Sequence, residues 1–312
     1  MAALKNDIQG RDKVQTPIRS FQIGAVNVEL LIESSDPLLH PGELYPDSSP
    51  EVIAEQSWLT PHLYDAASDR LVICMQSFLL RSAGKIILVD TCVGDCKQRP
   101  RPEFDGAVWN WLERLEQSGV SPEQVDVVLS THLHVDHIGW NTRLVDGKWR
   151  PTFPNARYLF VDKEYEYWSS DAGRVALQRT GDYVADSVTP IFEAGLADIV
   201  DFDHQIDDAL RLIPTPGHTP GHVCVEINSG GKKAIITGDL LHHPLQCRFP
   251  DWSTRFCFDA HQARQTRLAF MKQHAHEGAL LFPAHFPSPT AGYLRVVRDE
   301  AELRYRYEFV DE

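Results

Sequence analysis

Just beyond the short apolar run Val127-Val128-Leu129, the stretch Thr131-His132-Leu133-His134-Val135-Asp136-His137 places three imidazoles and a carboxylate within six residues. Single histidines are commonplace, but such a cluster at the end of a buried strand has no packing rationale. Similar punctuation closes three further apolar runs: Pro216-Gly217-His218-Thr219-Pro220-Gly221-His222, then Thr237-Gly238-Asp239, then Phe282-Pro283-Ala284-His285. Ligands of α/β folds collect at the C-terminal ends of buried strands, because several strands aim there at one place. A fold that suits this chain must therefore bring four strand ends together.

The remaining periodicity fits. Phe21 to Ile32, Leu71 to Leu80 and Lys85 to Val89 read as strands, with Ser82-Ala83-Gly84 turning the last two into a hairpin. Val108, Trp111, Leu112 and Leu115 recur at helical spacing after Phe104 and stop near Gly119. A second batch follows: strand Tyr158 to Val161, helical material over about 162–195, and strands Leu210 to Ile213, Val223 to Ile227 and Ala234 to Thr237. A helix from Asp259 to His276 and a strand from Ala279 to Phe282 complete it. Two batches of strands with helices interspersed predict an α/β architecture, two mixed sheets face to face with helices outside, as one αββα domain over 1–312. Pro37 to Pro50 is rich in Pro, Ser, Asp and Glu, so a long loop insertion is expected at about 34–70, either a lid or an arm that clasps a second subunit in a homodimer.

The net charge of −14 argues against nucleic acid and anionic membranes as partners, since both call for a basic surface. Met1 to Val14 is polar and lacks the apolar run of a signal peptide, and no segment has the ~20 apolar residues that span a bilayer. The six cysteines show no paired C-x-x-C spacing and read as free thiols, so a cytoplasmic location is expected.

Imidazole nitrogen and carboxylate oxygen are zinc's ligands, and a chain leaving a strand can present alternate residues to one side. His132 and His134 can face one ion while Asp136 and His137 turn towards another. The three later motifs supply a third imidazole, a carboxylate able to bridge, and a fifth imidazole.

In the order H-x-H-x-D-H, His, Asp, His, these motifs resemble the metallo-β-lactamase superfamily over about residues 20–290. The resemblance implies His132, His134 and His218 on a first metal, Asp136, His137 and His285 on a second, and Asp239 bridging. It implies two ions, expected to be zinc, and a bridging hydroxide as nucleophile, with Asp136 as a candidate catalytic residue; His242, which the resemblance does not supply, is the second candidate. His222 is a rival to His218, which the family's Gly-His-Thr-Pro-Gly turn favours. Asp90, ending the run Ile86 to Val89, matches the family's V-D-T turn and is either a turn former or a residue that orients a ligand.

Among family members the chain looks most like the N-acyl homoserine lactonase and methyl parathion hydrolase group. Homoserine lactonases carry Tyr three residues after the bridging Asp, where this chain has His242. His242 could donate a hydrogen bond to the substrate oxygen or a proton to the leaving group, or serve as a loop histidine or a support behind the ligands, as could His243. Of the loop aromatics Trp140, Trp252, Phe258 and Phe286, the first and last follow ligand motifs closely and are expected to wall a pocket for an acyl or aryl group. The expected function is opening a lactone or cleaving a carboxylic ester. Phosphotriester hydrolysis is the alternative, and iron-dependent oxidation or non-catalytic binding are the readings from other classes.

Overall fold

The computed structural model describes residues 17–299 and 302–310, so the reading of Met1 to Val14 lies outside the described residues. A first sheet is built from β1 (Ser20–Ile23), β2 (Val26–Leu39), β3 (Tyr64–Asp65), β4 (Arg70–Ser82), β5 (Lys85–Val89) and β6 (Val127–Leu129). After the small hairpin of β7 (Thr142–Val145) and β8 (Lys148–Pro151), β9 (Arg157–Val161) and β10 (Ala197–Val200) complete that sheet. Its order is β1-β2-β4-β5-β6-β9-β10 with β3 beside β4, antiparallel up to β5 and parallel from β5 through β10. The second sheet comprises β11 (Leu210–Pro214), β12 (Val223–Ser229), β13 (Lys232–Gly238), β14 (Leu280–Pro283), β15 (Gly292–Asp299) and β16 (Glu302–Phe309), in that order. Only β13 and β14 run parallel within it.

Alternation along the strands sorts side chains between layers, because neighbouring residues point to opposite faces. Leu80, Ile87, Val127 and Leu129 face Leu212, Val225, Ile236 and Phe282 of the second sheet in one core between the sheets. Their neighbours Leu79, Leu88 and Val128 point outward and pack beneath Trp111, Leu115, Trp168 and Leu177 of the helical layer. On the far side, Cys224, Ile235 and Leu281 are covered by Phe270 and Met271 of the helix Ala260–Glu277. That helix is capped by the Asp259 carboxylate, which accepts from Gln262 N–H at 2.9 Å.

The segment at about 34–70 is not a loop. Strand β2 continues through Leu39 with register shifts at Ile32/Ser34 and Pro37/Leu39, and helical turns follow at Pro41–Leu44, Pro50–Ala54 and Ser57–Leu59. Leu39, Leu44, Tyr45, Ile53, Leu59 and Leu63 are buried and pack with Val93 and Leu245, which gives this stretch a core of its own. Its polar composition hid that core, since the apolar positions are separated by turn formers rather than by a helical or strand period. The single expected strand over Phe21 to Ile32 is likewise a hairpin, broken at Gly24, whose φ is +59°.

The six cysteines are free thiols. No helix among the described residues is long and apolar enough to cross a membrane.

Candidate metal centre

Four connections converge at one end of the sandwich: the turn after β6, the turn between β11 and β12, the end of β13 and the end of β14. They gather His132, His134, His218 and Asp239 into one group and Asp136, His137 and His285 into another, each with ligand atoms within 4.8 Å of one another. Asp239 stands between them. Its Oδ2 lies 3.2 Å from His218 Nε2 and 3.7 Å from His132 Nε2, while its Oδ1 lies 3.1 Å from His137 Nε2 and 3.0 Å from His285 Nε2. The two oxygens of one carboxylate thus serve two groups. His134 and Asp136 are the partly exposed members and mark the mouth.

Ring orientation is set from behind. The His137 Nδ1–H donates to Asp90 Oδ2 at 2.9 Å, and the His285 Nδ1–H donates to the Cys74 carbonyl at 2.8 Å, leaving each Nε2 aimed into the site. Asp90 also accepts from Thr131 N–H at 2.7 Å, so its carboxylate orients a site histidine rather than only shaping a turn. Gln76 reinforces the β14 end, its amide donating to the carbonyls of Pro283 and Ala284 at 3.1 Å. His222 stays out of both groups and supports one from behind, its Nε2 accepting from Asp239 N–H at 2.9 Å and so holding the Asp239 backbone.

Charge distribution suits a cation. Burial, with neighbouring imidazoles adding to it, holds His132 well below the usual histidine range, His134 down to about 3 and His218 down to about 4, so all three offer neutral nitrogens. Burial also lowers His137 and His285, but nearby carboxylates override it and push both above the ordinary value: Asp239, Asp90 and Asp136 for His137, Asp239 and Asp136 for His285. That much negative charge calls for compensating positive charge at the second group. His132 Nε2, His137 Nε2 and Asp239 Oδ1 are buried without a hydrogen-bond partner, which is costly unless a cation takes their lone pairs. Two imidazole and carboxylate sets with free lone pairs fit two zinc-like ions.

His242 sits beside the first group and outside both sets. Its Nε2 is 3.1 Å from Asp239 Oδ2, and its ring stacks on His285 with centroids 5.5 Å apart. His243 points away, its Nε2–H donating to the Leu63 carbonyl at 3.0 Å and tying down the segment at 34–70.

Trp140 and Phe286, expected on the pocket wall, are core residues instead. The Trp140 ring stacks on Trp111 and its indole N–H donates to Glu33 Oε1 at 2.7 Å, while Phe286 is enclosed by Tyr307 and Phe309. Following a ligand closely in sequence puts a side chain on the opposite side of the turn as readily as on the same side. Trp252 stacks on Phe249 and leans on Tyr45. Phe258 alone of the four stands exposed, next to the site, with its N–H donating to the His218 carbonyl at 2.8 Å and its ring against Tyr167 at 4.9 Å. Sequence reasoning missed Glu164, Trp168 and Cys257. Trp168 packs edge-on to His134 at 5.7 Å, and the Cys257 sulfur lies 3.7 Å from His218 Nδ1.

Two facing mixed sheets with a divided His and Asp cluster at their shared end define a class, and similarity to known proteins agrees. The chain belongs to the metallo-beta-lactamase superfamily, whose family model matches residues 76–309. Within it, the chain is 30% identical over 145 residues to an N-acyl homoserine lactonase from Bacillus sp, a match that spans 48% of that relative and 46% of this chain. In three dimensions it is similar to a structure named as the hydrolase AbOPH in the beta lactamase superfamily, with TM-score 0.79, 24% identity and coverage of 95% of this chain and 98% of that one. It is also similar to AidC, described as a dizinc quorum-quenching lactonase in complex with a product, with TM-score 0.76, 22% identity and the same coverage. These likenesses place the chain in the metallo-β-lactamase fold.

Proposed function

We propose that this chain is a two-metal hydrolase that opens lactones or cleaves carboxylic esters of a small acyl or aryl substrate. One observation carries the reading: the carboxylate of Asp239 divides its oxygens between His132 and His218 on one side and His137 and His285 on the other. His132, His134 and His218 would hold the first ion, Asp136, His137 and His285 the second, and Asp239 both. Two divalent ions so held would supply Lewis acidity and lower the pKa of water between them. The likeness to an N-acyl homoserine lactonase supports lactones as the first substrates to test.

The protein's own groups would do the rest. Asp90 and the Cys74 carbonyl keep the second-group imidazoles in the tautomer that frees Nε2. His242, whose Nε2 lies beside Asp239 Oδ2, would donate a hydrogen bond to the substrate oxygen or a proton to the leaving group, at the position where homoserine lactonases use a tyrosine to help hold the lactone oxygen. Phe258 and Tyr167 offer an apolar face next to His218 on which an acyl or aryl group would lie.

The test is metal analysis of the purified protein, followed by a panel of lactones, aryl esters and phosphotriesters. The expected result is two zinc ions per chain and lactone or ester turnover that is lost to a chelator and restored by zinc. Preferential cleavage of phosphotriesters would overturn the substrate class. Bound iron with substrate-dependent oxygen consumption would overturn hydrolysis, and a fully metallated but inert protein would point to binding alone.

A further inference from the structure

The three histidines of the first group arrive from different sheets. His132 and His134 follow β6 of the first sheet, while His218 sits in the turn between β11 and β12 of the second. Strand pairing does not tie these two turns together, because β6 pairs with β5 and β9 and β11 pairs with β12. A backbone bond from Val223 N–H to the Thr131 carbonyl at 3.0 Å joins them at the strand ends, and one side chain joins the ligand-bearing stretches themselves. Glu164, in the first turn of the helix Asp162–Ser169, is buried at 1% exposure and reaches between them.

Its two oxygens are divided. Oε1 accepts from Leu133 N–H at 2.9 Å and from the Trp168 indole N–H at 2.7 Å; Oε2 accepts from Gly221 N–H at 2.9 Å. Leu133 is the residue between His132 and His134, and Gly221 lies three beyond His218. The approach is close on the second side: a Cβ at Gly221 would fall 2.3 Å from the Glu164 nitrogen, so only glycine lets this turn press against the helix. Trp168, anchored by the same carboxylate, lies edge-on to the His134 ring. The carboxylate touches no ligand atom, yet it fixes the backbone on both sides of the first group.

We propose that Glu164 is a positioning residue for the first metal: it clamps the two turns at the separation that lets His132, His134 and His218 share one ion. This rests on the metal-binding reading given above. A carboxylate is required because both its oxygens accept, whereas an amide offers one acceptor and sets its NH2 against the N–H of the other turn. With Gln the clamp opens on one side, and the cost falls on the first ion.

Glu164→Gln tests this in the full chain with zinc as the probe, by titration against a competing chelator and by per-site zinc occupancy from anomalous scattering at limiting zinc. First-site affinity is expected to fall on the order of 10–100-fold while the second site stays within about threefold of the parent, as outer partners of metal ligands behave. A residue that merely stabilised the fold would lower both sites together. The control is Glu226→Gln, a buried acid on β12 paired with Lys233 at 2.8 Å away from the site, which should leave the ratio of the two sites unaltered. Should Glu164→Gln fail to fold, Trp168→Phe removes one donor to the clamp and should shift the same ratio in the same direction by less. Equal loss at both sites, loss at the second alone, or parent-like binding in whichever variant folds would overturn the proposal. A parent chain that takes up no zinc overturns the metal reading and this inference with it. A parent with two ions and an unaltered Glu164→Gln overturns this inference alone.

Discussion

Replacing Asp90 by Asn should cost the second metal and spare the first. The change is nearly isosteric, and the backbone tolerates it: Asp90 has φ +59°, a left-handed conformation that Asn adopts more readily than most residues. What changes is one atom. Asn can still accept from Thr131 N–H, now at 2.7 Å from Asp90 Oδ1, but its NH2 then occupies the place of Oδ2, 2.9 Å from His137 Nδ1. Two N–H groups cannot face each other, so His137 must move its proton to Nε2, the nitrogen 3.1 Å from Asp239 Oδ1. The lone pair that would bind the ion is then occupied. A hydrogen bond to a charged group is worth ~1.5–3 kcal/mol, and at about 1.4 kcal/mol per tenfold this corresponds to roughly a 10–100-fold loss. Zinc titration against a competing chelator should show one of the two constants weakened by that factor and the other kept. Two parent-like constants in a folded Asp90→Asn protein would refute the tautomer argument.

The other predictions address catalysis, pH and packing. His242→Phe keeps a ring stacked on His285 and removes the proton donor, so kcat should drop about 100-fold with zinc content unchanged; a parent-like kcat, or loss of zinc, would refute the proton-donor role. Burial pushes the Glu33 carboxyl from its ordinary 4.5 up to about 8, although the N–H groups of Val93 and Gly94 and the Trp140 indole oppose it. The folded chain then binds a proton that the unfolded chain has released, so this group's stabilisation is fully present below pH 4.5 and is lost as pH rises through about 8. Urea unfolding between those limits should show a decline, of order 3–4 kcal/mol from this group, that Glu33→Gln removes; parallel pH slopes in the two proteins would refute it. Gly139→Ala would set a Cβ 1.8 Å from the Val93 carbonyl oxygen, backbone against backbone, and should lower the melting temperature by several degrees, from ~2–3 kcal/mol of overpacking. An unchanged melting temperature would show that this turn has room to shift.

Much of this was legible beforehand because it depends on short stretches of chain. The runs that became β4, β5, β6, β9, β11, β12, β13 and β14 are short, apolar and bounded by turn formers, so their type and place follow from local pattern alone. β15 and β16 escaped notice; in β16 the alternation is carried by arginine, glutamate and tyrosine more than by aliphatic residues. The stretch at about 34–70 misled for the opposite reason: its buried residues are spread among prolines, serines and acids with no period to reveal them. At the site, His132, His134, Asp136, His137, His218, Asp239 and His285 announced themselves by motif, and the structure brings all seven together. Trp140 and Phe286 show where proximity in sequence stops being informative.

By itself, then, the sequence determined which side chains could ligate a cation and which strand ends present them, because a strand followed by a tight turn fixes its own geometry over a few residues. Only the tertiary structure decided which oxygen of Asp239 serves which group, that His222 holds a backbone amide while His218 joins the cluster, and that Asp90 and Glu164 stand behind them. A buried carboxylate such as Glu164 looks in sequence like any acid on a helix surface. Its role comes from two N–H groups at residues 133 and 221, and no local pattern records partners so far apart along the chain.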